Sequence, residues 1–247
     1  MSDRTSRCAA VDRGAPTSAH VAVVIPARDE GERIGDAIAS VTAAAGGLPL
    51  GTTYDTVVVV DASVDDTAAR AREQLGPDAV IEVSLRSAGA ARRAGVELAL
   101  QRSPCGPAST WIASTDADTL VPIDWLCQQL NLAVQGVVAV AGVVELRADE
   151  PLRTATADRF AIAYGTARHG IHPHVHGANL GFRADAYLAA GGWKPLATGE
   201  DHDLWRRLAA HGLCLPAAQL CVRTSPRLRG RAPDGFAADL AALEVAG

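Results

Sequence analysis

Short apolar runs alternate regularly with amphipathic segments along this chain of 247 residues, and few folds accommodate that alternation. Residues 21–25 have the β-branched character of a buried strand. The apolar residues of the next segment recur at helical spacing: Ile34, Ala37, Ile38 and Val41. Further strands are predicted over 56–60, 80–85, 110–114 and 137–146, and further helices over 89–101, 124–134 and 154–168. This order predicts an α/β domain of the Rossmann-like type, with a mostly parallel central sheet and helices on both faces.

The composition sets the boundaries of the folded unit. The first twenty residues are polar and without periodicity, so we expect a flexible segment over 1–20 and one folded domain over 21–247. A hydrophobic content of 48% is ample for a single core, and no internal repeat or linker divides the chain.

Charge and cysteine usage restrict the partners and the compartment. The formal net charge of -5 provides no basic field for nucleic acid, so no nucleic-acid partner is expected. Five cysteines without CxxC spacing favour reduced thiols and a cytoplasmic location. No apolar run reaches the ~18 residues of a transmembrane segment, so only peripheral contact with a membrane stays open.

Acidic residues follow three of the predicted strands at the point where each strand ends. Glu30 follows the first strand, Asp61 the second, and Asp116 and Asp118 the fourth. Ligands of open α/β sheets bind beyond the carboxyl ends of the strands. Two carboxylates separated by one residue can reach a single Mg²⁺ or Mn²⁺ ion, although Asp-x-Asp is also a common turn sequence.

Two helix starts also carry charged residues. Gly89 to Gly95 opens a helix that places backbone donors and Arg92 near a phosphate or a donor sugar, unless the arginines simply face solvent. Glu200 and Asp201 lie in the first turn of a helix for which Thr198 is the predicted N-cap, with Asp201 completing a capping box.

Two further clusters are ambiguous. Three histidines occupy alternate positions and would share one face of a strand: His172, His174 and His176. Such a face could bind a metal, contact the acceptor or simply be exposed to solvent. Pro173 argues against a regular strand, and no zinc site is predicted. A basic cluster either binds a donor phosphate or an anionic acceptor, or forms a solvated surface; its members are Arg223, Arg227, Arg229 and Arg231.

Six motifs, taken in order, resemble the family 2 glycosyltransferases of the GT-A fold. They are VVIPARDE (23–30), VVVVDASVDDT (57–67), SAGAARRAG (87–95), STDADT (114–119), HGANLGFR (176–183) and GEDHDLWRRLAAHG (199–212). Together they extend over residues 21–212, and the ordered set is much more specific than any single member. The resemblance implies a metal-dependent enzyme that moves a sugar from a UDP- or GDP-linked donor to an unidentified acceptor hydroxyl.

The resemblance also assigns roles to particular positions. The nucleotide-sugar positions are Pro26, Arg28, Glu30, Asp61, Arg92, Asp116 and Ala117. Among them, Asp61 would approach the base and Asp116 the ribose, while Asp118 would bind the Mg²⁺ or Mn²⁺ ion. The nucleotide-binding half is expected over about 21–120. Two departures, Arg93 where many members carry asparagine and Val60 where an aspartate often stands, leave the donor sugar and the nucleotide open.

The acceptor-binding half is expected over about 121–247. The resemblance places Gly177, Asn179 and Glu200 at the acceptor, and implies that Asp201 removes the proton of the acceptor hydroxyl during attack with inversion.

Other classes fit the sequence less well. A dehydrogenase requires a Gly-x-Gly-x-x-Gly turn after the first strand, where this chain has Pro26-Ala-Arg-Asp-Glu. An aspartyl phosphatase carries its Asp-x-Asp on the first strand rather than the fourth. A nucleotidyltransferase of related fold and an inactive sugar-nucleotide-binding protein are the remaining alternatives.

Overall fold

An eight-stranded sheet covered by helices forms the part of the chain that the computed structural model describes, residues 20–150, 152–164, 172–228, 230 and 236–245. Its strands are β1 (His20–Ala27), β2 (Thr53–Asp61), β3 (Val80–Val83), β4 (Thr110–Ser114), β5 (Thr119–Leu120), β6 (Val137–Leu146), β7 (Leu180–Arg183) and β8 (Leu213–Thr224). The helices are α1 (Ile34–Ala45), α2 (Thr67–Leu75), α3 (Ala88–Arg102), α4 (Trp125–Val134), α5 (Thr154–Tyr164), α6 (Ala184–Ala189), α7 (Glu200–Leu208) and α8 (Phe236–Val245).

The order of the strands across the sheet is β3-β2-β1-β4-β7-β6-β8-β5. Strand β1 pairs in parallel with β2 and β4, β2 with β3, and β6 with β8. Strand β7 is antiparallel to both of its neighbours, and β5 is antiparallel to β8. Six of the eight described strands therefore run in one direction, which confirms the predicted α/β fold with a mostly parallel sheet.

Helices cover both faces because the buried strands alternate their side chains between two cores. Val21, Val23 and Ile25 pack with helices α1 and α4 on one face. Ala22 and Val24 pack with helices α3 and α7 on the other face. Helix α3 lies directly on the sheet, and a Cβ at Gly95 would come within 2.4 Å of Val24 Cγ1. The glycine thus sets the close approach of the helix that carries Arg92.

The second half of the chain differs from the sequence prediction in several respects, and helix α8 is one element that was not predicted. Strands β7 and β8 were not predicted, since Pro216 and a mixed composition hide the strand pattern of β8. The capping box at Thr198 is wrong. The N-cap is Gly199, whose φ of 70° lies in the left-handed region that favours glycine, and no side chain caps the helix there. Asp201 is consequently available for other contacts.

Among the described helices, none is both long and apolar enough to cross a membrane. The prediction of a helix over 154–168 holds as far as Tyr164, and its last residues lie outside the described part of the chain.

Candidate active site

A cleft of about 710 Å³ opens at one edge of the sheet. Strands β1, β2, β4, β6 and β8 all end at this edge, and the reversed strand β7 begins there. Residues that lie far apart in the sequence are therefore adjacent around one opening, at the place where α/β sheets bind their ligands.

The cleft brings together eleven of the twelve predicted site residues. Those that line it are Pro26, Arg28, Glu30, Asp61, Arg92, Asp116, Ala117, Asp118, Gly177, Glu200 and Asp201. The two predicted halves of the site thus face each other across a single space.

Asn179 is the exception, because it does not line the cleft where the prediction placed it at the acceptor. Its side chain is buried, accepts a hydrogen bond from Trp125 Nε1 (2.9 Å), and donates to the carbonyl oxygens of Val143 (2.8 Å) and Leu220 (2.9 Å). All of its polar atoms are engaged, so Asn179 joins β6, β8 and the turn before β7 instead of facing a ligand.

The Asp61 carboxylate shapes the wall of the cleft in front of helix α3. It accepts hydrogen bonds from the backbone N–H groups of Leu85 (2.7 Å), Arg86 (2.8 Å) and Ser87 (2.9 Å). These bonds turn the chain away from β3, which is why that strand ends at Val83 rather than at the predicted residue 85. Asp61 therefore fixes the segment that leads to Arg92, whatever it contacts in a ligand.

The loop after β1 is tied to the loop after β2 by side chains that the sequence reasoning missed. Thr67 Oγ1 accepts from the N–H of Glu30 (2.8 Å), and Asp65 Oδ2 accepts from the N–H of Gly31 (2.9 Å). Asp65 also accepts from the hydroxyl of Thr67 (2.5 Å). The motif VDDT could have indicated these contacts, because Asp and Thr often bind loop amides. They hold Glu30 at the cleft.

Arg92 is a buried cation between two carboxylates. Its Nη2 is 2.7 Å from Asp116 Oδ1, and its Nη1 is 2.6 Å from Glu200 Oε1. The guanidinium also lies over the ring of Trp193, 5.2 Å from the centroid. Burial opposes the charge, but Asp116 and Glu200 outweigh it and raise the pKa of Arg92. The alternative of a solvent-facing side chain is excluded for Arg92, whereas Arg93 is about half exposed.

Arg227 forms a second bridge of this kind. It lies 2.5 Å from Glu30 Oε1 and 2.8 Å from Asp118 Oδ2. Burial raises the pKa of Asp118, and the guanidinium of Arg227 opposes that rise. Of the predicted basic cluster, Arg227 thus lies in the cleft, Arg223 is an exposed residue of β8, and Arg229 and Arg231 lie outside the described residues.

The surroundings of Asp118 fit a divalent ion only when a ligand adds oxygen atoms. No group of three His, Cys, Asp or Glu side chains within the described ranges could hold a metal by itself. Magnesium is commonly held by one or two carboxylates together with substrate phosphates, and Asp118 provides one such carboxylate. An ion at Asp118 Oδ2 would take the place of the Arg227 guanidinium.

Asp201 points at the turn that precedes β7. Its Oδ2 accepts from the N–H of Gly177 (3.1 Å), and its Oδ1 accepts from the N–H of His202 (2.8 Å). The carboxylate is therefore oriented at the start of α7 by backbone groups from two elements. Asp201 also lines the cleft, and its carboxylate can accept further hydrogen bonds, since a carboxylate accepts about four.

The three alternating histidines form a ladder of rings against Tyr164 and hold no metal cluster among themselves. His174 stacks on Tyr164 with a centroid distance of 3.8 Å, and His172 and His176 stack on either side of His174. The Tyr164 hydroxyl accepts from the N–H of Val144 (3.1 Å) and shares a hydrogen bond with His176 Nε2 (2.8 Å), in which the tautomer of the histidine decides the donor. Only His176 of the three lines the cleft.

Comparisons with known proteins agree with this geometry. A family model described as "Glycosyltransferase like family 2" matches residues 16–225. A sequence comparison with curated proteins gives no match.

Two solved structures share the fold at low sequence identity. One is the mannosyltransferase PcManGT from Pyrobaculum calidifontis in complex with GDP-Man and Mn2+, at 21% identity and a TM-score of 0.61. The other is S. aureus TarS 1-349 in complex with UDP-GlcNAc, at 13% identity and a TM-score of 0.62. Each alignment covers 88% of this chain, but only 59% of the first structure's chain and 61% of the second.

Proposed function

Because the chain belongs to glycosyltransferase family 2, we propose that it moves a sugar from a nucleoside-diphosphate donor to the hydroxyl of an acceptor. Its single α/β domain has the GT-A fold. The observation that carries the proposal is the meeting of Asp116 and Asp118 with Glu200 and Asp201 in one cleft.

The donor would lie over the ends of β1, β2 and β4. Pro26, Arg28 and Asp61 border this part of the cleft and suit the nucleoside, and Asp116 suits its ribose. UDP or GDP is the expected nucleotide, since UDP-GlcNAc and GDP-Man occupy the two structures of the same fold. A bound Mg²⁺ or Mn²⁺ would neutralise the charge that develops on the leaving diphosphate. Asp118 would hold that ion through one carboxylate oxygen.

Asp201 would act as the general base. The acceptor oxygen forms a bond to the anomeric carbon while the bond between that carbon and the diphosphate oxygen breaks, and the electron pair leaves with the nucleoside diphosphate. Asp201 takes the hydroxyl proton, and the configuration is inverted. The bonds from Gly177 and His202 hold its carboxylate in a fixed orientation, as a base requires.

Direct detection of product tests the proposal. The protein is incubated with a panel of UDP- and GDP-sugars and a mixture of candidate acceptors, with Mn²⁺ or with chelator, and the nucleoside diphosphate and the glycoside are measured. Asp201→Asn should lower turnover at least about a hundredfold and spare nucleotide affinity. Asp203→Asn is the matched control, because Asp203 lies in the same helical turn but pairs with Arg207 and Lys194 outside the cleft.

Two outcomes separate the alternatives. Release of pyrophosphate from a nucleoside triphosphate and a sugar phosphate would identify a nucleotidyltransferase. Binding of a nucleotide sugar without transfer or hydrolysis, in both wild type and Asp203→Asn, would identify an inactive binding protein.

A further inference from the structure

Arg92 connects the two halves of the cleft. It lies on helix α3, yet it binds Asp116 after β4 and Glu200 at the start of α7. We propose that Arg92 is a positioning residue that sets the placement of Asp201 relative to the donor, and that it is not itself a ligand of the donor. This inference rests on the proposed function and deepens it.

The contacts of Arg92 leave little for a phosphate. Both terminal nitrogens are held by carboxylates at 2.6 and 2.7 Å, and Nε is buried without a hydrogen-bond partner. The side chain is only 5% exposed, with Trp193 against the guanidinium. Two of its five N–H groups are directed at carboxylates, and the burial of the guanidinium leaves little surface through which the others could reach a diphosphate.

Two paths lead from Arg92 to the proposed base. The first is covalent, because Glu200 immediately precedes Asp201 at the start of α7. The second passes through Gly177, where an added Cβ would lie 2.4 Å from Arg92 Cζ. The N–H of that same glycine donates to Asp201 Oδ2. The guanidinium therefore packs against the group that orients the carboxylate and binds the helix that carries it.

The contact of Arg92 with Asp116 fixes the donor side of the cleft. Asp116 belongs to the Asp-x-Asp segment, and Asp118 lies two residues farther on. One rigid cation thus ties the donor-side acids to the acceptor-side base. Misplacement of a reacting group by about 1 Å can cost 10²-fold in rate, so loss of this tie should lower turnover more than affinity.

The experiment compares Arg92→Lys with Arg93→Gln. Arg93 is the adjacent residue on the same helix, is about half exposed, and pairs with Glu97 one turn along. Three quantities are measured: the hydrogen-exchange rate of the Gly177 amide in the ligand-free protein, the Kd of the nucleotide sugar, and kcat against KM. Lysine keeps the charge but cannot reach two carboxylates with a planar fork.

We expect Arg92→Lys to speed exchange at Gly177 about tenfold or more, because one lost hydrogen bond of ~1.4 kcal/mol corresponds to that factor. We also expect kcat to fall roughly 10²-fold, as for a misplaced reacting group, with the donor Kd within about threefold of wild type. Arg93→Gln should match wild type in all three quantities.

A large loss of donor affinity with unchanged kcat at saturation would overturn the proposal and make Arg92 a donor ligand. Unchanged exchange at Gly177 together with unchanged kcat would also overturn it. If Arg92→Lys does not fold, the double variant Asp116→Asn, Glu200→Gln replaces it, because it keeps the arginine and removes its charged partners. Unchanged exchange at Gly177 in that double variant would refute the proposed link between Arg92 and Asp201. The exchange measurement needs no substrate, so absence of product in wild type would count against the proposed function alone.

Discussion

Two arginines, Arg92 and Arg227, pair with the carboxylates of the cleft, and they differ in how far they are buried. Arg92 is enclosed by protein, whereas the side chain of Arg227 is 24% exposed and approaches Glu30 and Asp118 from the segment after β8. A cation that is partly open to solvent can leave its partners at smaller cost than a buried one. The carboxylate predicted to bind metal is thus held by the more exposed of the two arginines.

Competition between Arg227 and a divalent ion gives a first prediction. Mn²⁺ alone should bind wild type weakly, because the guanidinium holds Asp118, and should bind much better in the presence of UDP or GDP, whose phosphates add ligands. Arg227→Gln should strengthen binding of Mn²⁺ alone by about tenfold, or ~1.4 kcal/mol. Titration of free Mn²⁺ by electron paramagnetic resonance measures both affinities.

Arg223→Gln serves as the control for this titration, since Arg223 is exposed on β8 and does not line the cleft. Asp118→Asn should abolish the binding. Equal affinity of wild type and Arg227→Gln for Mn²⁺ alone would show that the arginine does not compete.

Gly177 gives a second prediction at the same scale. Alanine there would place Cβ 2.4 Å from Arg92 Cζ, and both the turn and the guanidinium are held in place, so Gly177→Ala should lower the free energy of unfolding by about 1–3 kcal/mol. Urea unfolding measures the change. Gly106→Ala is the control, because its Cβ would meet no atom within 4 Å. Equal stability of the two variants would mean that the turn yields easily.

At the scale of elements, the turn before β7 carries a histidine that is held neutral. Burial lowers the pKa of His176 to about 4, against the opposing effects of Asp201 and Asp116, while His174 and His202 lower it further. The hydrogen bond between the Tyr164 hydroxyl and His176 Nε2 is compatible with the neutral ring, whose nitrogens can each accept or donate according to the tautomer.

The third prediction is a loss of stability in mild acid. As the pH falls below about 6.5, the unfolded chain takes up a proton on this histidine, and the folded chain does so only near pH 4. The contribution of His176 is therefore complete above pH 6.5 and decreases toward pH 4, by about 2 kcal/mol at pH 5. Urea unfolding at pH 7.5 and pH 5 measures it.

His176→Gln should reduce this dependence on pH, and the exposed His211 provides the control substitution. Some dependence should persist, since burial also lowers the pKa of His172. An unchanged difference between the two pH values in His176→Gln would contradict the assignment.

Strands β1, β2, β4 and β6 could be predicted from the sequence because they are largely buried and form short apolar runs. Strands predicted over 110–114 and 137–146 have those bounds in the structure. Strand β8 could not be predicted, since its pairing with β6 includes a register shift and its run contains Pro216. Its extended conformation is imposed by the neighbouring strand rather than by local preference.

The site was predictable where acids follow strands, and unpredictable where contacts span the chain. The bridge from Arg227 to Glu30 joins residues 197 positions apart, and no local pattern marks it. Asn179 lies in a motif shared with the family, yet its environment engages every polar atom in structural bonds. A motif indicates which residues are near the cleft, but not which of them face it.

For the whole molecule, the central position of β1 gives a fourth prediction about the domain boundary. β1 begins at His20 and lies between β2 and β4, so the sheet needs the chain from that residue onward. Deletion of residues 1–17 should leave the protein folded, with Tm within about 2 °C of wild type. Deletion of residues 1–24 removes five of the eight residues of β1 and should prevent folding. If a thermal scan shows that the variant lacking residues 1–17 is unfolded, the folded domain begins before residue 18.

The reversed direction of β7 brings its amino end to the cleft, so the connection from β6 to β7 arrives there over residues 147–179. Asp116, Asp118 and Asp201 all lie outside this connection. Insertions in the part of the connection that precedes His176 and Gly177 can therefore enlarge or reshape one wall of the cleft while Asp201 keeps its bond to the N–H of Gly177. Under the proposed function, a change in the length of this connection would alter which acceptors fit the cleft and would leave the chemical step as it is.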